Sequence, residues 1–382
     1  GGFRFEPPQG FVSLCTANLK DNDYAPIGPN SAAGTPDKHF DTVLWQGNDN
    51  TERVISGLNF QPDLVWIKAR DQAYNHTLFD SVRGVSNHLF PDITSAETQN
   101  QYGSLTQFNN SGFTVADGTS GRTYVNSNNV EYVAWCWKAG NETTVNNDGT
   151  LPSTVSVNQD AGFSIVSWTG SGTGTQTIGH GLSNTPEFII TKNRDNTYNW
   201  ASYHIKAGID GYINLDQNNG WTSNSGFFND LPTSTVFTAG SHSYQNGTDQ
   251  LIAYCWHPVE GYSKFGIYDG NGNADGPFIY LGFKPAWVML KALATYNNAS
   301  WNIYDNKRYT HNPRQNPMHA DTNVVEGVRN DGTAIDDVYT NIDFLSNGFK
   351  LRHEYTEGNH DTVGTYIYMA FAEMPFKYAN AV

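Results

Sequence analysis

Cysteine is nearly absent: Cys15, Cys136 and Cys255 are all that 382 residues contain, which excludes a disulfide framework. Basic residues are few, 22 against 37 acidic ones, for a net charge of −15. Such a chain lacks the basic footprint that phosphate backbones require, so nucleic acid is excluded as a partner. No apolar run reaches the length of a membrane-spanning helix, and no membrane insertion is expected. Long stretches of helical periodicity are missing too. So are the Gly-x-Ser-x-Gly elbow, the P-loop, the dinucleotide fingerprint and, despite eleven histidines, any Cys/His cluster at zinc spacing. Nothing in the sequence asks for catalysis, and the expectation is that the protein is not an enzyme.

What the chain does have is 14% aromatic residues, 37 glycines and asparagine throughout. This mixture reads as all-β with long polar loops. One stretch organises it, because it is written three times: Gly57-Leu-Asn-Phe-Gln-Pro-Asp-Leu-Val-Trp-Ile-Lys68, its counterpart over 181–192, and a version two residues shorter over 282–291. In each copy a lysine (Lys68, Lys192, Lys291) stands six residues after the proline. The residues between are mostly bulky or β-branched, as in a buried strand entered through a Gly/Pro turn. Each copy adds an opening strand (40–47, 163–170, 265–270), a return strand (76–80, 200–204, 301–305) and an apolar closing strand (132–137, 251–256, 366–372).

Closing strands recur 119 and 117 residues apart, counted from Ala134 to Ala253 to Ala370. That period is too long for a solenoid or propeller blade and suits an independent β-sandwich. The fold expected is all-β: three tandem antiparallel β-sandwich repeats, jelly-roll or concanavalin-like, with an extended N-terminal arm. Unit A covers 38–140, unit B 162–261, and unit C 262–382 including a short C-terminal tail. Segment 141–161 reads as a linker that permits a hinge, whereas the short B–C junction predicts a stiff pair. The arm, 1–37, has strand-like pieces but too little apolar material for its own core, so it should find order against another chain or domain. Cys136 and Cys255 hold equivalent places in two units and read as buried thiols.

Four segments carry a resemblance: 57–68, Ser-Gly-Phe-Thr-Val over 111–115, Tyr-Val-Ala-Trp-Cys-Trp-Lys-Ala-Gly over 132–140, and Ala-Gly-Phe-Ser-Ile-Val-Ser-Trp-Thr-Gly over 161–170. This frame is similar to repeat domains of marine bacteriophage virion proteins, in which such repeats often follow a SPRY or concanavalin-like domain. Residues 5–11 look like the exit from that domain, so the start at Gly1-Gly2-Phe3 reads as that of a processed product or a segment. The resemblance implies a structural protein on the virion surface, as tail fibre or capsid decoration. It further implies other virion proteins as partners and a homo-oligomer (a trimer, since phage fibres are commonly trimeric); host-surface glycan as a ligand is an expectation that rests on aromatic residues in loops. It brings no active site. Unit C departs most, with its shortened turn and no cysteine in its last strand. The alternative is a secreted carbohydrate-binding module or glycan hydrolase.

Three sets of residues are candidates for chemistry. Asp269, Asn271, Asn273 and Asp275 place side-chain oxygens at alternate positions and could wrap calcium. The same residues are what a tight hairpin wants, no glutamate closes the loop, and the plain turn is favoured with no cofactor required. Lys68 precedes Asp80 by twelve residues, Lys192 precedes His204 by twelve and Lys291 precedes Asp305 by fourteen. Side by side on neighbouring strands, each pair would fix register or, less favoured, form a polar ligand site. Finally, the loop aromatics Tyr198, Trp221, Phe227, Phe228 and Tyr309 could stack on sugar faces, because such rings offer flat apolar area, in Tyr and Trp with a polar edge.

Overall fold

The computed structural model describes residues 26–28, 31–99, 101–295, 299–329, 332–334, 340–362 and 364–374. Most of the arm, with Cys15 and the segment 5–11, lies outside the described residues, as does the tail from 375 onward. The protein is all-β, and every pair of neighbouring strands is antiparallel.

One strand order occurs three times: opening, closing, organising, return. In unit A these are Phe40–Gln46, Glu131–Trp137, Leu64–Ala69 and Thr77–Asp80. In unit B they are Phe163–Thr169, Gln250–Trp256, Phe188–Asn193 and Ala201–His204. In unit C they are Ser263–Asp269, Thr365–Met374, Lys284–Ala292 and Asn302–Asp305. A smaller outer sheet accompanies each unit: Glu52–Ser56, Gly112–Ala116 and Ser104–Asn109 in A, Gln176–Gly179 and Val236–Ala239 in B, and Phe278–Tyr280, Gly348–Leu351 and Ile342–Leu345 in C.

Alternation along the organising strands explains why they are apolar throughout. Val65, Ile67 and Ala69 enter a core private to unit A, with Phe113 and Val115 from the outer sheet. Val288, Leu290 and Ala292 do the same in C, and Ile189 in B. The other face of each strand enters one central core shared by all units: Leu64 and Trp66, Phe188 and Ile190, Trp287 and Met289. Aromatic rings cross between units there, with Trp137 5.7 Å from Trp287 and 6.2 Å from Trp256. Phe40 stacks on Phe371 at 5.1 Å. At the centre is a void of only ≈ 10 Å³, so the packing is nearly complete. The units are therefore not independent. Ile27, from the arm, is fully buried in the same core.

Three sequence expectations change. Segment 141–161 is no free linker: Thr144–Asn146 and Ser153–Asn158 extend the unit B sheet beside Phe163–Thr169. Ala370 pairs with Val288, the place taken by Cys136 opposite Val65 and Cys255 opposite Ile189. The true counterpart of Ala134 and Ala253 is thus Tyr368, and small size alone misaligned the unit C strand. Nor do the lysines meet their proposed partners. The hairpin register sets Asp80 opposite Leu64, His204 opposite Phe188 and Asp305 opposite Trp287, four residues before each lysine.

Instead the lysines hold backbone carbonyls. Lys68 Nζ donates to Gln72 O at 3.1 Å. Lys192 donates to Asn193 O at 2.7 Å and across to Thr94 O of unit A at 3.3 Å. Lys291 donates to Ala299 O at 2.7 Å and across to Gln217 O of unit B at 3.2 Å. Burial pushes all three ammonium groups down to about 8, and pushes Asp92 and Asp216 up to about 7 and about 6.

The residues expected to pair with lysine serve the junctions. Asp80 Oδ2 accepts from Arg83 Nε at 2.5 Å and from Tyr254 Oη of unit B at 2.7 Å. Asp305 Oδ2 accepts from Arg308 Nε at 2.5 Å and from Trp135 Nε1 of unit A at 3.1 Å. One backbone bond recurs at each junction: Glu97 N to Arg194 O, Trp221 N to Leu293 O and Glu326 N to Arg70 O, at 2.7, 2.8 and 2.7 Å. A binds B, B binds C and C binds A, so the head-to-tail series closes into a ring within one chain.

Candidate functional site

Unit A carries an open aromatic groove. Two adjoining hollows of ≈ 180 and ≈ 230 Å³ share Asn75, Tyr102 and Tyr124. Tyr74 and Thr123 line one, Thr98 and Gln101 the other. The floor follows from the fold. The loop after the organising strand presents Tyr74, whose N–H donates to Gln72 O at 2.8 Å, and Asn75, which accepts from Asn323 Nδ2 of unit C at 3.2 Å. Tyr124 N donates to Tyr102 O at 3.0 Å, which sets the two rings edge to face at 5.4 Å. Gly103 lets these segments approach: its φ is +91°, and a Cβ there would meet Val125 Cγ2 at 2.5 Å.

Chemically the groove is neutral. Three phenol rings supply flat apolar area, while amides and hydroxyls of Asn75, Gln101, Thr98 and Thr123 supply donors and acceptors. His88 lies beneath it, bound to Thr77 Oγ1 and Ser104 Oγ at 3.0 Å each. Burial, reinforced by the charge of Arg83, pushes it down to about 4, so it is an uncharged structural group.

A family model described as a domain of unknown function, DUF7483, matches residues 35–375. The chain belongs to the DUF7483 family. The match spans all three units, in keeping with their shared core. No curated protein matches the sequence.

The five aromatics expected at a glycan site are not brought together by the DUF7483 fold. Phe227 and Phe228 are buried in the unit B core, where their apolar area is already covered. Trp221 packs against the central core at the B–C junction. Tyr309 accepts a hydrogen bond from Asn316 Nδ2 at 2.6 Å in unit C. Tyr198 stacks on Tyr244 at 4.5 Å. That last pair points to what sequence reasoning missed. Tyr198 stands six residues after Lys192, as Tyr74 does after Lys68. Tyr244 and Tyr124 each stand two residues before a buried asparagine, Asn246 and Asn126. In unit B the two rings cover each other; in unit A their counterparts line the groove with Tyr102. The repeat offset was the available signal.

The calcium reading of 269–275 gives way to a turn. Asn271 Oδ1 accepts from Asn273 N, Asn273 Oδ1 from Asp275 N, and Asp269 Oδ1 from Thr365 Oγ1, at 3.0, 2.8 and 2.7 Å. Asp275 is neutralised by Lys350 at 2.8 Å. Buried Asn359 pins the turn by donating to Asn271 Oδ1 and Asn273 O. Asn126 and Asn246 pin the corresponding loops of A and B through Asn50 O and Gly174 O. A construction repeated where the oxygen pattern is absent serves the fold. Among the described residues no His/Cys/Asp/Glu cluster has metal-binding geometry.

Proposed function

We propose that this protein is a structural component of a bacteriophage particle surface, tail fibre or capsid decoration, and that unit A binds host-surface glycan in its tyrosine groove. The virion setting, partner virion proteins and an oligomer of chains follow from the resemblance of the repeat frame. The repeat period and the many short strands support reading each unit as a jelly-roll or concanavalin-like sandwich. The observation that carries the glycan reading is the grouping of Tyr74, Tyr102 and Tyr124 with neutral amides and hydroxyls. Sugars present apolar ring faces edged by hydroxyls, and this lining matches both. The net charge of −15 keeps such surfaces soluble and apart. No catalytic constellation recommends turnover.

Titration of host envelope polysaccharide into the full chain tests this reading. Tyr102→Ala should weaken binding about tenfold, the loss of ~1.4 kcal/mol of stacking and contact. Undiminished affinity in Tyr102→Ala and Tyr124→Ala would reject the groove. Release of reducing sugar would favour the hydrolase alternative, and failure of the chain to copurify with phage particles would reject the virion role.

A further inference from the structure

A cleft in unit C differs from the tyrosine groove in kind. Its volume is ≈ 580 Å³, and Lys284, His311, Asn312, Arg314, Phe344 and Asn347 are among its lining residues. Among the described residues no carboxylate lines it, in a protein of net charge −15. The volume falls within the range of small-molecule sites.

Arg314 is the anomaly. It is only 3% exposed, and its backbone is locked to Ile342 by reciprocal bonds of 2.7 and 3.1 Å. Nη1 donates to Asn312 Oδ1 at 2.8 Å, and the guanidinium lies 4.3 Å from the centre of the Phe344 ring. Nε is buried, with no hydrogen-bond partner among the described residues. Among the described residues no carboxylate forms an ion pair with it. Arg83 and Arg308, equally buried, each hold an aspartate and a glutamate. Lys284, at the cleft wall, is balanced by Glu373 at 3.0 Å. Glu373, Asp305 and Asp343 act on its charge without forming an ion pair with it. Burying a charge without a direct counter-ion is costly, and the guanidinium fork matches a carboxylate in two-point geometry.

We propose that this cleft is a binding site for a carboxylate-bearing small ligand, with Arg314 as the anchor, held by Asn312, and with His311 and Asn347 meeting the ligand's polar remainder. It stands apart from the unit A groove, whose lining carries no cationic side chain.

Thermal shift and calorimetric titration of the full chain test the site. The probes are glucuronate, N-acetylneuraminate, the methyl ester of each, and a short peptide with a free or an amidated C-terminus. Free carboxylates should raise Tm progressively with concentration while esters and amide leave it unchanged. The better of sugar acid and peptide identifies the source of the carboxylate. Arg314→Met should fold, because it removes an unpaired buried charge, and should lose the shift. Should Arg314→Met not fold, Asn347→Ala and His311→Ala, at exposed positions, provide the second reading, each weakening carboxylate binding severalfold. Tyr102→Ala should leave it intact. No shift with any free carboxylate at 50-fold the concentration of a typical weak (~1 mM) ligand, equal shifts with the esters, or a shift that survives these substitutions would overturn the proposal.

Discussion

Five histidines, His76, His88, His180, His204 and His353, are essentially fully buried, and burial pushes every one below its ordinary range. His88, His180 and His204 fall to about 4, His353 to about 3, and His76 well down. A histidine with a depressed folded pKa adds stability that is complete above the unfolded value near 6.5 and shrinks as pH falls toward the folded one. Asp92 and Asp216, raised by burial, act oppositely, gaining a relative advantage on acidification through neutrality. His39, His242, His257 and His319 are lowered as well, and Asp41, Asp63, Glu187 and Glu357 raised. Nine histidines outweigh six carboxyls, so chemical denaturation between pH 7 and pH 4.5 should show stability falling, by up to about 1.4 kcal/mol per pH unit for each net proton taken up on unfolding. A flat or rising profile would show that these histidines are not held neutral. Single residues were the least legible part of the sequence. Tyr198 was visible as a loop aromatic, yet whether a ring lies open or covered depends on its neighbours in space: Tyr244 covers it, while Tyr74, at the same repeat position, lines a groove.

Strands and turns were more legible, because they answer to local rules. Alternation and Gly/Pro punctuation revealed the opening, organising, return and closing strands of every unit within a few residues. Register was not legible, since it depends on connection length and on which faces are buried, and so the lysine pairs were misplaced by four positions. The junctions, built from residues far apart in sequence, were invisible. At A–B, Glu97 accepts from Arg83 Nη1 at 2.9 Å and from Arg194 Nε and Nη2 at 2.9 and 2.8 Å. Burial alone would raise its carboxyl, but the two arginines hold it below its usual value. Glu326 repeats the arrangement at C–A with Arg308 and Arg70. At B–C the corresponding place is Trp221, whose backbone N–H donates to Leu293 O and whose ring packs against the central core. Glu97→Gln leaves Arg83 with one carboxylate fewer at a buried site and should cost about 3 kcal/mol in urea unfolding at pH 7. A loss below ~0.5 kcal/mol would reduce the network to a surface ion pair.

At the scale of the whole molecule, the all-β class and the repeated strand order were legible, but the shared core that joins the repeats was not. A strand apolar on both faces reads identically whether its second face meets its own sandwich or a neighbouring unit. Here that second face builds the ring's centre, where Trp137, Trp256 and Trp287 meet, and one DUF7483 match runs across all of it. The three-way arrangement that the resemblance attaches to three chains is thus already present inside one. An account in which the units share a single core requires that they melt together. Differential scanning calorimetry of the full chain measures this directly. One transition, with calorimetric and van't Hoff enthalpies in a ratio near one, is the predicted result. Three resolved transitions, or a ratio near three, would mean that each unit holds its own fold and that the central core contributes little.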